Sequence, residues 1–318
     1  EGMLRSAIAG ADLWLLNPAG IWFGEHASLD LSGALHLSTA DYLTLEDNKS
    51  VFVNTATEDL VSLAIPVGFG FLDANIGPIQ VHRSQLDVAA GQAIDLVGGE
   101  ITLELGAELQ APGGYINLIG LGGEITLESG AELQAPGGHI NLIGSAVVEA
   151  PVLPEVTLPA SLTQSAIVQI TDSTLRTDGV GGGGMTISGD QIIIQDSVLS
   201  AQTNGAQDGR DLVLQADSEL HLIRSLLDTR TTYTGHAGAI RLQAPQVVLD
   251  MRDPVGEVGL HAGSLGTDIS VFELVLMSDH TSVGNVNATL ISPSGTELVL
   301  FSNLDPWEVT TPIDAVFT

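Results

Sequence analysis

Asp172 and Asp196 stand 24 residues apart, each directly before a serine, Ser173 or Ser197. If the chain repeats with that period, the two carboxylates lie on adjacent turns. Glycosidases use such a pair of acids on either side of a glycosidic bond. The third member of the series, before Ser225, is Arg224. The same column therefore also reads as a solvated ladder of charges, or as two acids sharing a cation. No aromatic platform or histidine accompanies it. Gly179-Val180-Gly181-Gly182-Gly183-Gly184 formally fits G-x-G-x-x-G, a phosphate cradle when a helix comes next. The adjoining residues Met185–Ile194 read as a strand, so the glycines read as a turn. The eight His are scattered with none at i, i+4, and Walker A, H-E-x-x-H, EF-hand and G-x-S-x-G patterns are absent. The expectation is a non-enzymatic chain, with no catalytic or cofactor-binding residue and no metal ligand assigned.

Whatever these residues do, a repeat must position them. Residues 98–120 read GGEITLELGAELQAPGGYINLIG and residues 122–144 read GGEITLESGAELQAPGGHINLIG. The copies differ at Leu105/Ser129 and Tyr115/His139. In the first copy Ile101, Leu103 and Leu105 alternate with Thr102 and Glu104, the period of a strand. Leu109 marks a second strand, Ala111-Pro112-Gly113-Gly114 a corner, and Ile116–Ile119 a third strand. Pro112 and the Gly pairs forbid a helix. Three short strands in about 24 residues make one coil of a parallel β-solenoid. Weaker copies recur at Ser173-Thr174-Leu175, Ser197-Val198-Leu199 and Ser225-Leu226-Leu227, and earlier at Ser84-Gln85-Leu86. About ten coils are expected over residues 1–250, stacked ~4.8 Å apart. Equivalent residues then sit above one another, Asn117 over Asn141 and Glu108 beside Glu132. Residues 151–166, with three prolines, read as a long loop or a break between two stacks.

Composition removes several classes of function. The 318 residues carry 39 acidic side chains against 9 basic ones, among which Lys49 is the single lysine, for a formal charge of -30. Nucleic-acid binding is excluded, because its affinity rests on Lys and Arg neutralising phosphates. Anionic membrane surfaces are disfavoured for the same reason, and no stretch approaches the ~18 apolar residues of a span. Disulfide frameworks and Cys-based metal sites fall away with zero cysteines. The opening residue, Glu1, suggests a segment of a longer protein.

Residues 12–43 read DLWLLNPAGIWFGEHASLDLSGALHLSTADYL. Through Asn17-Pro18-Ala19-Gly20-Ile21, Phe23-Gly24, Ala27-Ser28-Leu29-Asp30 and Ser38-Thr39-Ala40-Asp41, the chain resembles the secretion domain of filamentous-haemagglutinin-type exoproteins. These are the substrates of two-partner secretion. The likeness resumes at Phe69-Gly70-Phe71-Leu72, Gly77-Pro78-Ile79 and Val97-Gly98-Gly99, and covers residues 1 to about 145. Ala19 stands where the family often has Asn. The resemblance implies a right-handed parallel β-helix exported through an outer-membrane β-barrel partner of a Gram-negative bacterium. It makes Asn17, Pro18, Ala19, Gly20 and Ile21 the candidate secretion motif. From the residues alone, Asn17–Gly20 is a turn, with Pro fixing φ and Gly permitting a positive one.

From about Pro254 the rhythm changes to longer strands, Ile269–Met277, Val286–Ile291 and Glu297–Phe301, with Ser292–Thr296 as a hairpin connection. The run Ser278-Asp279-His280-Thr281 … Leu290-Ile291-Ser292-Pro293-Ser294-Gly295-Thr296 resembles the P domain that comes after the catalytic domain of subtilisin-like proprotein convertases, a β-sandwich. Asn285 stands where that family usually has Asp. The resemblance admits a calcium ion, at no assigned residue. The expected organisation is a secretion-type β-helix over 1–150, further coils over 151–253 and a truncated antiparallel sandwich-like module over 254–318. The expected function is a secreted or surface-exposed adhesin without membrane insertion, binding a host or neighbouring-cell ligand. A toxin-delivery stalk and a polysaccharide-acting β-helix enzyme are the alternatives.

Overall fold

A strand with apolar side chains on alternate residues has one face to hide, and a short strand cannot hide it alone. Here each strand lays that face against the axis of a coil and hydrogen-bonds to its counterparts above and below. The computed structural model describes residues 2–53, 64–144, 155–157, 166–232, 234–244 and 246–250, with short strands at 259–261, 273–274, 288–291, 297–301 and 315–316. The described residues contain no helix, and among them no helix is long and apolar enough to cross a membrane. The chain is a parallel β-solenoid of about nine turns with three faces.

The duplicated coil shows the pattern. Tyr115–Gly120 lies on the first face, Ile101–Glu104 on the second and Glu108–Gln110 on the third. The copies stack in the register expected from the 24-residue offset: Ile101 on Ile125, Glu108 on Glu132 and Asn117 on Asn141. On the third face one leucine column, Leu86, Leu109, Leu133, Leu175, Leu199 and Leu227, runs through successive coils. All six are fully buried. Each such burial stabilises by ~1.5–3 kcal/mol relative to exposure, so the column is a continuous axial core.

The stack is unbroken across the proline-rich stretch. Ile125–Leu127 pairs with Ile167–Thr171, and His139–Ile143 pairs with the strand Gly184–Gln195. Residues 151–166 therefore do not divide two stacks. Within that stretch Glu155–Thr157 is a strand of a different sheet. There it joins Tyr42–Leu45, Ser50–Phe52 and Pro66–Gly70 in a four-stranded sheet outside the coil. Phe69 and Phe71 pack with Ala40 against Val97, Ile119 and Leu121, which the first face turns away from the axis. Because Tyr42–Leu45, Ser50–Phe52 and Pro66–Gly70 leave the coil, there are about nine turns rather than ten.

The corner between the second and third faces is built on left-handed residues. Arg83, Asp172, Asp196 and Arg224 have φ of 47°, 48°, 50° and 44°. The serine after each is buried and donates its Oγ–H to the carbonyl two residues back, as Ser84 does to His82 at 3.0 Å and Ser225 to Ile223 at 2.8 Å. That local bond holds a conformation non-glycine residues seldom adopt. The duplicated coils use a wider corner, and this corrects one expectation. The strand ends at Glu104; Leu105 does not alternate inward but turns out with φ 54° and is 40% exposed.

The last described strand of the third face, Gly259–His261, pairs with Leu226–Asp228, so coil pairing extends past residue 254. Ala288–Ile291 and Glu297–Phe301 pair antiparallel. The connection Ser292–Thr296, the run 278–285 and most of the expected C-terminal module lie outside the described residues.

Candidate functional site

Asn17–Ile21 closes the first described coil between Leu13–Leu16 and Ile21–Phe23. The Gly20 amide donates to the Asn17 carbonyl at 3.0 Å, the bond of a β-turn. The Asn17 side chain braces it twice, with Nδ2 donating to the Gly20 carbonyl at 2.7 Å and Oδ1 accepting from the Ala19 amide at 3.3 Å. Gly20 sits at φ 116°, where a side chain is strained. Asn17 and Ala19 face solvent, whereas Ile21 is buried in the core. The turn rests on the corner of the next coil: the Ile21 amide donates to the Pro78 carbonyl at 2.9 Å, and a Cβ on Gly77 would overlap the Pro18 carbonyl. All five motif residues thus belong to one tightly stacked corner.

Beside this corner runs a buried polar column. Trp14, His36, Asp95, Asn117 and Asn141 occupy equivalent positions on the first face. The Trp14 indole stacks on the His36 ring with centroids 4.0 Å apart, and packs on Phe69 of the outer sheet at 5.2 Å. His36 Nδ1 meets Asp95 Oδ2 at 2.5 Å. Asn117 Nδ2 donates to Asp95 Oδ1 at 2.5 Å, and Asn141 Nδ2 donates to Asn117 Oδ1 at 2.7 Å. Asp95, Asn117 and Asn141 are 2%, 1% and 3% exposed, so the carboxylate is compensated almost entirely by these donors. The amides point one way, toward the carboxylate. The Asn117–Asn141 step comes from the duplication. The His36–Asp95 end was missed in sequence, though Leu35-His36-Leu37 and Ile94-Asp95-Leu96 carry the same apolar–polar–apolar frame as Ile116-Asn117-Leu118.

The acid column does not form a matched pair. Arg224 grips Asp196 with two hydrogen bonds, Nε to Oδ1 at 2.7 Å and Nη2 to Oδ2 at 2.6 Å. That guanidinium holds the Asp196 carboxyl below its usual range, outweighing burial, with help from the Gln195 amide. A glycosidase acid needs the opposite shift. Gly179–Gly184 leads into the strand Gly184–Gln195, so the glycines are a corner. Among the described residues no group of three or more His, Asp or Glu is disposed to hold a metal ion. The segment for which the P-domain resemblance admits calcium lies largely outside them.

No match was found among curated proteins or among solved structures. Residues 1–152 match the family model of the TPS secretion domain, and this supports a secreted exoprotein of the two-partner type, handled in the general sense by a partner transporter.

Proposed function

We propose that the chain is part of an adhesin of the filamentous haemagglutinin type, delivered through an outer-membrane β-barrel transporter to the surface or surroundings of a Gram-negative bacterium. The observation that carries the proposal is the secretion-domain match over residues 1–152. In this reading the solenoid is a non-enzymatic scaffold that displays side chains in rows, and the segment beyond the coil strand Gly259–His261 is a P-domain-like module. Export and folding are coupled. A chain crossing unfolded has no template, so its first coils bear the closure entropy before stacking rewards the rest. Asn17–Ile21 acts by closing one of those early corners.

Secretion and melting of two variants test this role. Gly20→Val forces a side chain into φ 116° and should cost ~1–3 kcal/mol. Asn17→Ala removes exposed local bonds worth ~1 kcal/mol. Export through a co-expressed transporter should fall in proportion to lost stability, with Gly20→Val the worse variant. If Asn17→Ala blocks export while the purified chain melts normally, the motif is read directly by the transporter and the folding role is wrong.

A further inference from the structure

Among its described strands the second face of the solenoid carries neither Lys nor Arg. Along its middle, on the outward side, Trp22, Gln80, Thr102, Thr126 and Gln169 stand in one row, each on the next coil. Their neighbours Ile79, Ile101, Ile125 and Val168 are fully buried, which fixes the row on the outer side. Trp22 is 73% exposed, an unusual state for a large aromatic ring. Among the described residues the side chains of Gln80, Thr126 and Gln169 make no hydrogen bond to the protein, so their polar heads are free for a ligand. Glu100 and Glu124 flank the row on one side, Glu104 and Glu128 on the other. Glu100 takes the Thr102 hydroxyl at 3.3 Å, and Glu104 lies 3.2 Å from His82.

The geometry points to a polysaccharide bearing free amino groups, lying along this row parallel to the solenoid axis. A pyranose ring offers an apolar face to an indole and hydroxyls to amides, as few other polymers do together. The coil spacing of ~4.8 Å is close to the length of one sugar unit, so each rung meets one ring. The flanking glutamates complement ammonium groups and repel uronate or sulfate chains, which decides between amino-sugar and acidic polymers. A basic peptide would satisfy the glutamates and could lay a cation on the indole, but it brings no regular row of hydroxyls to Gln80, Thr102, Thr126 and Gln169. The inference rests on the adhesive reading and gives its ligand a class.

Titration of the purified chain with a β-1,4-linked glucosamine hexamer, at mildly acidic pH and low salt, tests it by calorimetry. Trp22→Ala should weaken binding by about tenfold, the scale of one aromatic contact, while leaving the melting curve unchanged because the ring is exposed. Gln80→Ala and Gln169→Ala should each weaken it several-fold, and Glu100→Gln with Glu124→Gln should reduce the preference over neutral cellohexaose. Absence of binding overturns the inference. So does equal binding of cellohexaose by the unaltered chain, or binding of a basic peptide as tight as that of the hexamer. Loss of the hexamer arm with adhesion of whole cells intact would sink this ligand and leave the adhesive reading standing.

Discussion

The duplicated coils, 98–144, and the later coils from 166 onward solve the same stacking problem with opposite success in their charges. Exact repetition places each residue on its own copy. For asparagine that is favourable, because an amide is its own complement, and Asn141 donates to Asn117. For glutamate it is not. The Glu108 carboxyl is pushed up by burial first and then by Asp87 and Glu132, and Asp87 is pushed up by burial. In the later coils the sequence has diverged and opposite groups meet across the rungs. Arg224 binds Asp196, Arg241 binds Asp211 at 2.8 Å, and the His236 amide donates to Asp208 at 2.9 Å. Burial alone would raise the Asp228 carboxyl, yet Arg230 and the Gln202 amide hold it below its usual range. A parallel solenoid rewards identity between coils only for side chains that can pair with themselves.

The sharpest way to break this contrast is at the amide column. Asn117→Ala strands both Asp95 Oδ1 and Asn141 Nδ2 in a buried site, and should cost about 3 kcal/mol. Hydrogen exchange should register the loss in residues 93–98 and 139–143 first. Equal protection there would show that self-complementary stacking contributes little. Next in size is Arg224→Gln. Asp196 and Arg224 are partly exposed, so the expected loss is about 0.5–1 kcal/mol, read as a lower denaturation midpoint at neutral pH.

Glu108→Gln should have the reverse sign. A carboxyl raised in the folded state opposes folding once it ionises, so its removal stabilises above the folded pKa and is neutral below the unfolded one. A gain of a few tenths of a kcal/mol is expected at neutral pH, vanishing as pH falls below the ordinary glutamate value of 4.5. For Asp196 and Asp228, both lowered, stability is complete above the ordinary value of 3.8 and is lost as pH falls through the folded pKa. Melts of Glu108→Gln and Arg224→Gln across that range should therefore converge on the parent curve in strong acid from opposite sides. The smallest effect concerns cations. Millimolar calcium at matched ionic strength should raise the melting midpoint by relieving self-repulsion in the Glu columns. Glu108→Gln should blunt that rise, and equal midpoints with and without calcium would refute it.

The period of 24, the corners at Gly113-Gly114 and the register of Asn117 on Asn141 were legible because they arise from local alternation and exact repetition. Gly20's positive φ was legible from the turn chemistry of Asn-Pro-Ala-Gly. Leu105 misled because alternation and apolarity both favour a strand there, and what overrides them is the corner shared with Ser129. The outer sheet was illegible for another reason. Tyr42–Leu45 and Pro66–Gly70 look like coil strands locally, and their true partners are fixed by packing on Val97 and Ile119 rather than by any period. Asp95's compensation needed His36, which belongs to a coil too diverged to align by eye. Of the candidate site, the motif's turn was visible and its burial against Gly77 and Pro78 was not.

The strand Glu155–Thr157 pairs with Pro66–Gly70 on the near side of the whole duplicated block. Coils can form as fast as each neighbour arrives, since their partners are one repeat away. This pairing cannot form until residues 155–157 have been delivered, after both duplicated coils. It therefore works as a latch in time: a polypeptide stalled before residue 155 can stack both duplicated coils but leaves the Pro66–Gly70 edge of a three-stranded outer sheet unpaired. Such an edge invites pairing with another chain, so the interval between delivery of the duplicated coils and arrival of Glu155–Thr157 is when that edge is most exposed to self-association.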